Sequence, residues 1–263
     1  MPPRSSPYFL TVFLLLLDIA VQNYSQSALF PIVTICSGLM FKSPSPYETK
    51  LHRLIADLIA STPNNPSYFS VTNSTISPQV IVLAQCRPDL SPALCAACLN
   101  QSAATIYTVS LGCGMLKSGS IRSENCLLRY TDVMFLNDPN EDMPNIVTAP
   151  DASASFNRRA QDLMNTLIAK TAEAELRFAV GVSNESADAV DIYGMGWCSI
   201  DLMSSDCAHC LRFLLERIAG KQRGVATIVS CQVRFETYPF FASSFIATAS
   251  APAEAEVVSK PME

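Results

Sequence analysis

Ten cysteines in 263 residues are the side chains whose type and spacing are best suited to chemistry. They stand at Cys36, Cys86, Cys95, Cys98, Cys113 and Cys126, then at Cys198, Cys207, Cys210 and Cys231. Cysteines so spaced have three uses: they ligate zinc, they run thiol–disulfide exchange, or they pair into structural bridges. A four-cysteine zinc site would draw on Cys95-x2-Cys98 and Cys207-x2-Cys210. More than a hundred residues part those pairs, against roughly 15–20 in common zinc modules. An exchange-active Cys-x2-Cys opens a helix after a βαβ pattern. Here a third cysteine, Cys86 or Cys198, stands shortly upstream of each pair, and no such pattern precedes it. The even count at regular spacing favours structural bridges formed in an oxidising compartment.

Other chemistry is thinly supplied. Two histidines, His52 and His209, leave little for acid–base work near neutral pH or for imidazole metal ligation. His52 falls in an expected helix and His209 between two cysteines, both as surface or partly buried residues. There is no Gly-x-Ser-x-Gly elbow, no His-Glu-x-x-His helix and no phosphate-cradling glycine loop. Asp188 and Asp191 have the form of a glycosidase carboxylate pair, but among 23 acidic residues such pairs arise freely in solvated loops. No catalytic residue, metal or cofactor is therefore assigned, and a non-enzymatic protein is expected. Eighteen basic against 23 acidic residues, a net charge of -5, give no pull toward phosphate backbones. Nucleic acid is not an expected partner.

The start of the chain reads as a secretion signal over residues 1–27. Arg4 supplies the positive end, residues 8–17 the apolar core, and Ser25 and Ser27 the small residues before cleavage after Ser27. The apolar run is shorter than the roughly 20 residues a membrane span needs. The end, residues 248–263, reads as a flexible polar tail without the hydrophobic terminus of a glycolipid anchor. The expectation is a soluble, secreted mature protein with no membrane span.

Between these ends the chain repeats itself. Cys86-x8-Cys95-x2-Cys98 has the same spacing as Cys198-x8-Cys207-x2-Cys210. Leu54, Leu58, Ile59 and Ala60 match Leu163, Leu167, Ile168 and Ala169, and Cys126-Leu127-Leu128-Arg129-Tyr130 parallels Cys231-Gln232-Val233-Arg234-Phe235. A tandem of two domains follows, residues 28–136 and 150–247, joined by a polar, proline-containing linker at 137–149. The helix offset places Asn145 opposite Cys36.

Each repeat mixes helix and strand. Leu51, Leu54, Ile55, Leu58 and Ile59 recur at helical spacing and predict a helix near 47–61, with Leu163, Met164, Leu167 and Ile168 its counterpart. Val80, Val82 and Ala84 alternate as in a strand with one covered face. Ser91 and Pro92 read as N-cap and first residue of a second helix, in which Cys95 and Cys98 share a face. Strands are expected near Cys126–Tyr130 and in Val225–Phe235. Two helices covering one face of an antiparallel sheet is the simplest packing for this order. Three sequons, at Asn73, Asn100 and Asn184, are candidate glycosylation sites in a secreted chain.

The duplicated cysteine triplet, with Cys126-Leu127-Leu128-Arg129-Tyr130-Thr131-Asp132 closing the first copy, resembles the plant ginkbilobin-homologous (salt-stress-response/antifungal) domain. Arg177-Phe178-Ala179-Val180-Gly181 and Arg234-Phe235-Glu236 are similar to that family's second-copy signatures. The architecture resembles a cysteine-rich repeat secretory protein and the ectodomain of cysteine-rich receptor-like kinases. The resemblance implies an α+β fold, a tandem of two disulfide-stapled domains, each with two helices on a five-stranded antiparallel sheet. It also implies the pairs Cys36–Cys113, Cys86–Cys95, Cys98–Cys126, Cys198–Cys207 and Cys210–Cys231, so that the second copy lacks both halves of one bridge. The implied role is extracellular (apoplastic) recognition of a protein partner or receptor in plant stress or defence. The alternative is an antifungal protein that binds cell-wall carbohydrate. Ginkbilobin itself resembles a small lectin that holds mannose through an Asn, an Arg and a Glu. Those positions are Ser37, Ser120 and Thr131 in the first copy; in the second, Val225 stands for the Arg and Glu236 for the Glu. Glu236 is thus the candidate carbohydrate-binding residue, and otherwise reads as an exposed strand charge.

Overall fold

Hydroxyl caps start three of the four α-helices among the described residues. The Ser45 side chain accepts the Glu48 N–H at 3.2 Å, Ser91 accepts that of Leu94 at 3.3 Å, and Ser153 accepts that of Phe156 at 3.3 Å. Each such cap contributes about 1 kcal/mol by satisfying an orphan donor. Pro46 and Pro92 follow two of them, where a missing N–H costs nothing. The computed structural model describes residues 31–65, 69–74, 77–133, 143–184 and 190–242. The expected signal sequence, residues 137–142 of the linker, Asp188 and the tail 248–263 lie outside them.

The first repeat runs β1 (Pro31–Met40), α1 (Pro46–Ser61), β2 (Phe69–Ser74), β3 (Val80–Cys86), α2 (Pro92–Ile106), β4 (Leu116–Ser123) and β5 (Cys126–Thr131). The second runs β6 (Asn145–Thr148), α3 (Ala154–Glu173), β7 (Phe178–Ser183), β8 (Ile192–Cys198), α4 (Ser204–Ile218), β9 (Gly224–Thr227) and β10 (Cys231–Glu236). Strands order as β1-β4-β5-β3-β2 and β6-β9-β10-β8-β7, every pair antiparallel. In each repeat the helices cover one face. Leu51, Ile55 and Leu99 pack on Val80, Val82 and Leu128 in the first, and Met164, Leu167 and Leu211 on Val233 and Phe235 in the second.

The cysteine spacing has a geometric reason here. Cys86 and Cys126 are direct partners across β3 and β5, as Cys198 and Cys231 are across β8 and β10. Neighbouring strands lie about 4.8 Å apart and helical residues three apart are separated by a similar distance, so one Cys-x2-Cys turn can reach both strands. The bridges Cys86–Cys95 and Cys98–Cys126, and Cys198–Cys207 and Cys210–Cys231, tie α2 and α4 to their sheets in this way. The fifth bridge, Cys36–Cys113, has no counterpart in the second repeat, and no cysteine is free.

Three readings from sequence are corrected. Residues 145–148, assigned to the linker, form edge strand β6 of the second sheet, paired with β9. Cys36 lies opposite Gly119, whose counterpart Gly224 lies opposite Thr148, so Thr148 and not Asn145 corresponds to Cys36. The helix offset fails because nine positions separate Cys36 from the Ser45 cap but only five separate Thr148 from Ser153. Finally, β3 is covered on both faces. Ile81 and Leu83 point away from the helices yet are fully buried, because Val229 and Ile200 of the second repeat pack there.

Candidate recognition surface

Two insertions distinguish the first repeat. One extends β1 through Gly38, Leu39 and Met40, with a register shift between Ser37 and Met40 and Gly38 at φ 84°, a backbone region that glycine tolerates. The other is the loop 107–115 after α2, where the second repeat turns from α4 into β9 much sooner. The Cys36–Cys113 bridge joins the two, and the Phe41 N–H donates to the Met115 carbonyl at 2.9 Å. A Cβ on Gly112 would stand 2.1 Å from the Thr105 carbonyl oxygen, so this loop closes tightly beneath the helix end. The insertions expose several apolar side chains, beside the exposed Thr108 and Ser110. Leu39 is 77 % exposed and Val109 92 %, with Met40, Leu111 and Met115 also exposed. The disulfide and the Phe41–Met115 hydrogen bond hold the two segments together, and large exposed apolar areas mark interaction sites.

The second feature is the joint between repeats, where the sheet faces turned from the helices meet. The Gln85 side-chain amide donates to the Cys198 carbonyl at 3.1 Å and accepts from the Ile200 N–H at 2.9 Å. Arg87 forms a two-pronged pair with Asp89, at 2.7 and 2.8 Å, and donates to the Phe240 carbonyl. Arg234 pairs with Glu124 of the first repeat and with Glu236 at 3.2 Å, and its guanidinium lies 4.2 Å from the Phe240 ring centroid. Burial alone would lower the Arg234 pKa, but the Glu124 and Glu236 carboxylates outweigh it and hold the group above its ordinary value. Arg122 is fully buried over the ring of Trp197, 4.1 Å from its centroid, and donates to the Val229 carbonyl at 2.7 Å. Burial pulls its pKa down to about 9.

This joint decides the place of Glu236. It is 5 % exposed, so it is neither an exposed strand charge nor open to a sugar as it stands. Its partner Arg234 lies two residues earlier on the same face of β10, a period-two relation visible in the sequence. The remaining triad positions offer no clamp. Ser37 is exposed, Ser120 and Thr131 are buried, and Val225 lies beside Arg234 across β9 and β10. Of the sequons, Asn73 lies in β2, Asn184 is exposed after β7, and Asn100 lies on α2 with its amide donating to the Ala96 carbonyl at 2.8 Å. His52 and His209 are both exposed, and the His52 ring meets Tyr107 edge-on. Sequence reasoning missed Gln85, Arg87, Arg122, Glu124 and Trp197; the single tryptophan beside Cys198 was the one distinctive mark among them.

Two disulfide-stapled α+β modules in tandem define the class of protein. The family pattern described as salt stress response/antifungal matches residues 35–133 and 144–238, and the chain belongs to that family. It is 30 % identical to cysteine-rich repeat secretory protein 38 of Arabidopsis thaliana, over 83 % of this chain and 88 % of that protein. It is 31 % identical to cysteine-rich receptor-like protein kinase 27 of the same plant, over 89 % of this chain but only 35 % of the kinase, so it spans about a third of that relative's length. The crystal structure of the tandem DUF26 ectodomain of the Arabidopsis thaliana cysteine-rich receptor-like protein PDLP5 shares the fold, with a TM-score of 0.65 and 24 % identity, over 79 % of this chain and 99 % of that one. Among the described residues no helix is long and apolar enough to cross a membrane.

Proposed function

We propose that the chain is a secreted, non-enzymatic recognition module that acts in extracellular stress or defence signalling by binding a protein. The observation that carries this reading is the apolar surface of Leu39, Met40, Val109, Leu111 and Met115, built from the two insertions and stapled by Cys36–Cys113. A desolvated apolar centre is how protein partners are held. Neutral sugars instead need several convergent hydrogen-bonding groups. The similarity to a secretory protein and to a receptor-like kinase, together with the signal-like residues 1–27, supports an extracellular site of action. On the same reading the mature chain starts after Ser27, and Asn73 and Asn184 carry glycans.

A glycan array on the refolded mature protein, followed by calorimetry with mannose at millimolar concentration, tests the reading. No sugar binding is expected. Mannose binding that Glu236→Ala abolishes would replace it with the carbohydrate-binding antifungal alternative.

A further inference from the structure

Arg87, Arg122 and Arg234 are buried where the repeats meet; Arg87 has Asp89 as its carboxylate, and Arg234 has Glu124 and Glu236. Among the described residues Arg122 has none. It is fully buried, its two terminal nitrogens donate to the carbonyls of Val229 and Trp197, and its Nε–H has no partner among the described residues. Burial is the one cause acting on its pKa, which stays high enough for the group to be charged at neutral pH. A cation taken from water without a counter-charge is costly, and native structures pair such groups.

The side chains around Arg122 are short of partners too. Trp197, on which it stacks, has an unpartnered Nε1–H. Gln232 is the direct neighbour of Trp197 across β8 and β10 and of Thr227 across β9 and β10. Among the described residues neither end of the Gln232 amide, nor the Thr227 hydroxyl, nor the hydroxyl of adjacent Ser230 has a hydrogen-bond partner. All five residues are at most 1 % exposed. Buried polar atoms are satisfied in nearly every folded protein, so a cluster of six unsatisfied atoms points to something that occupies their midst. The set is rich in donors: a guanidinium N–H, an indole N–H, an amide NH2 and two hydroxyls, against a single obligate acceptor, the Gln232 Oε1.

We propose that the joint between the repeats holds a small monovalent anion of the halide class, bound by Arg122, Trp197 and Gln232 with the Thr227 and Ser230 hydroxyls. The anion supplies the charge that Arg122 lacks and fastens β4 of the first repeat to the outer face of the second sheet. Water fills donor clusters of this kind as well, but leaves the charge uncompensated.

Two measurements on the mature, disulfide-intact chain test the site. Crystals grown in sodium bromide are expected to show an anomalous peak within hydrogen-bonding distance of Arg122 Nε and Trp197 Nε1. In solution, exchanging gluconate for chloride at constant ionic strength is expected to lower the unfolding equilibrium constant by close to tenfold for each tenfold rise in chloride above its dissociation constant. Trp197→Phe, which keeps the ring and removes the N–H, is expected to blunt that response, as is Thr227→Val. Water density without an anomalous peak would overturn the proposal. So would a wild-type stability indifferent to chloride, or a chloride response equal in both variants and wild type.

Discussion

The two repeats share a sheet order, a pair of helices and a helix-to-sheet disulfide clamp, yet they differ where β1 and β6 meet the rest of their sheets. In the first repeat Cys36 lies opposite Gly119, and a Cβ on that glycine would stand 2.8 Å from the Cys113 sulfur and 2.6 Å from the Tyr130 ring. In the second, Thr148 lies opposite Gly224, and a Cβ there would stand 2.8 Å from the Ile218 side chain. A glycine is required at both places, but a disulfide and a tyrosine press on one and an isoleucine on the other. The second repeat closes its short loop by apolar packing from the end of α4. The first has two longer segments to hold, and it holds them with a covalent bond. The comparison teaches that the bridge goes with the insertions and not with the fold: the module folds without it, while the exposed apolar surface depends on it.

Removing the bridge should have the largest effect. Cys36→Ala with Cys113→Ala opens a loop of sequence separation 77, which chain entropy values at about 4 kcal/mol. Denaturant titration should then show the first repeat unfolding ahead of the second, and an unchanged midpoint would break the comparison.

The joint comes next. Arg234→Ala leaves the buried Glu236 without its cation and should cost about 3 kcal/mol. Arg223→Ala, at an exposed position, should stay within about 0.5 kcal/mol. Equal losses in the two variants would mean that the Glu124–Arg234–Glu236 set contributes little to holding the repeats together.

Smaller, but more diagnostic, is Gly119→Ala. Overpacking against the Cys113 sulfur should cost about 2 kcal/mol, and less in a chain already lacking the bridge. Gly224→Ala should cost the same with or without the bridge. A double-mutant cycle reads the difference directly, and independence of Gly119 from the bridge would contradict the packing described above.

Tyr130→Phe should have the smallest effect at neutral pH. It removes a hydrogen bond of 2.8 Å to the Leu116 carbonyl, worth about 1 kcal/mol. Burial raises the Tyr130 pKa from 10.0 to about 12, and Phe235 occupies the same place in the second repeat. The folded state keeps this proton where the unfolded chain has lost it, so the contribution is whole below pH 10 and is lost as pH rises toward about 12. Stability of the variant should therefore fall less steeply across that window than that of the wild type. Identical slopes would show that Tyr130 titrates as it does when unfolded.

Much of each module was legible in the residues themselves. The Ser91-Pro92 start of α2, the apolar stripe of α1 and the cysteine triplets are all local patterns, because a helix repeats every 3.6 residues and its caps lie within one turn of its end. Edge strand β6 was not legible: its four residues are all exposed, so no face of it carries an apolar signal. The burial of Ile81 and Leu83 was not legible either, since nothing in β3 tells whether its second face is covered.

The sequence by itself therefore determined the tandem, the start of α2 and the duplicated cysteine frame, since each rests on spacings of a few residues or on repetition of the whole. Only the tertiary structure decided the fate of Arg122, Glu124, Arg234 and Glu236. Arg122 reaches Val229 across 107 positions, and Arg87 reaches Phe240 across 153. Contacts at such separations leave no periodicity in the chain. Whether a charged strand residue faces water or a buried counter-charge is settled by which surface the neighbouring repeat covers, and that is a property of the assembled pair.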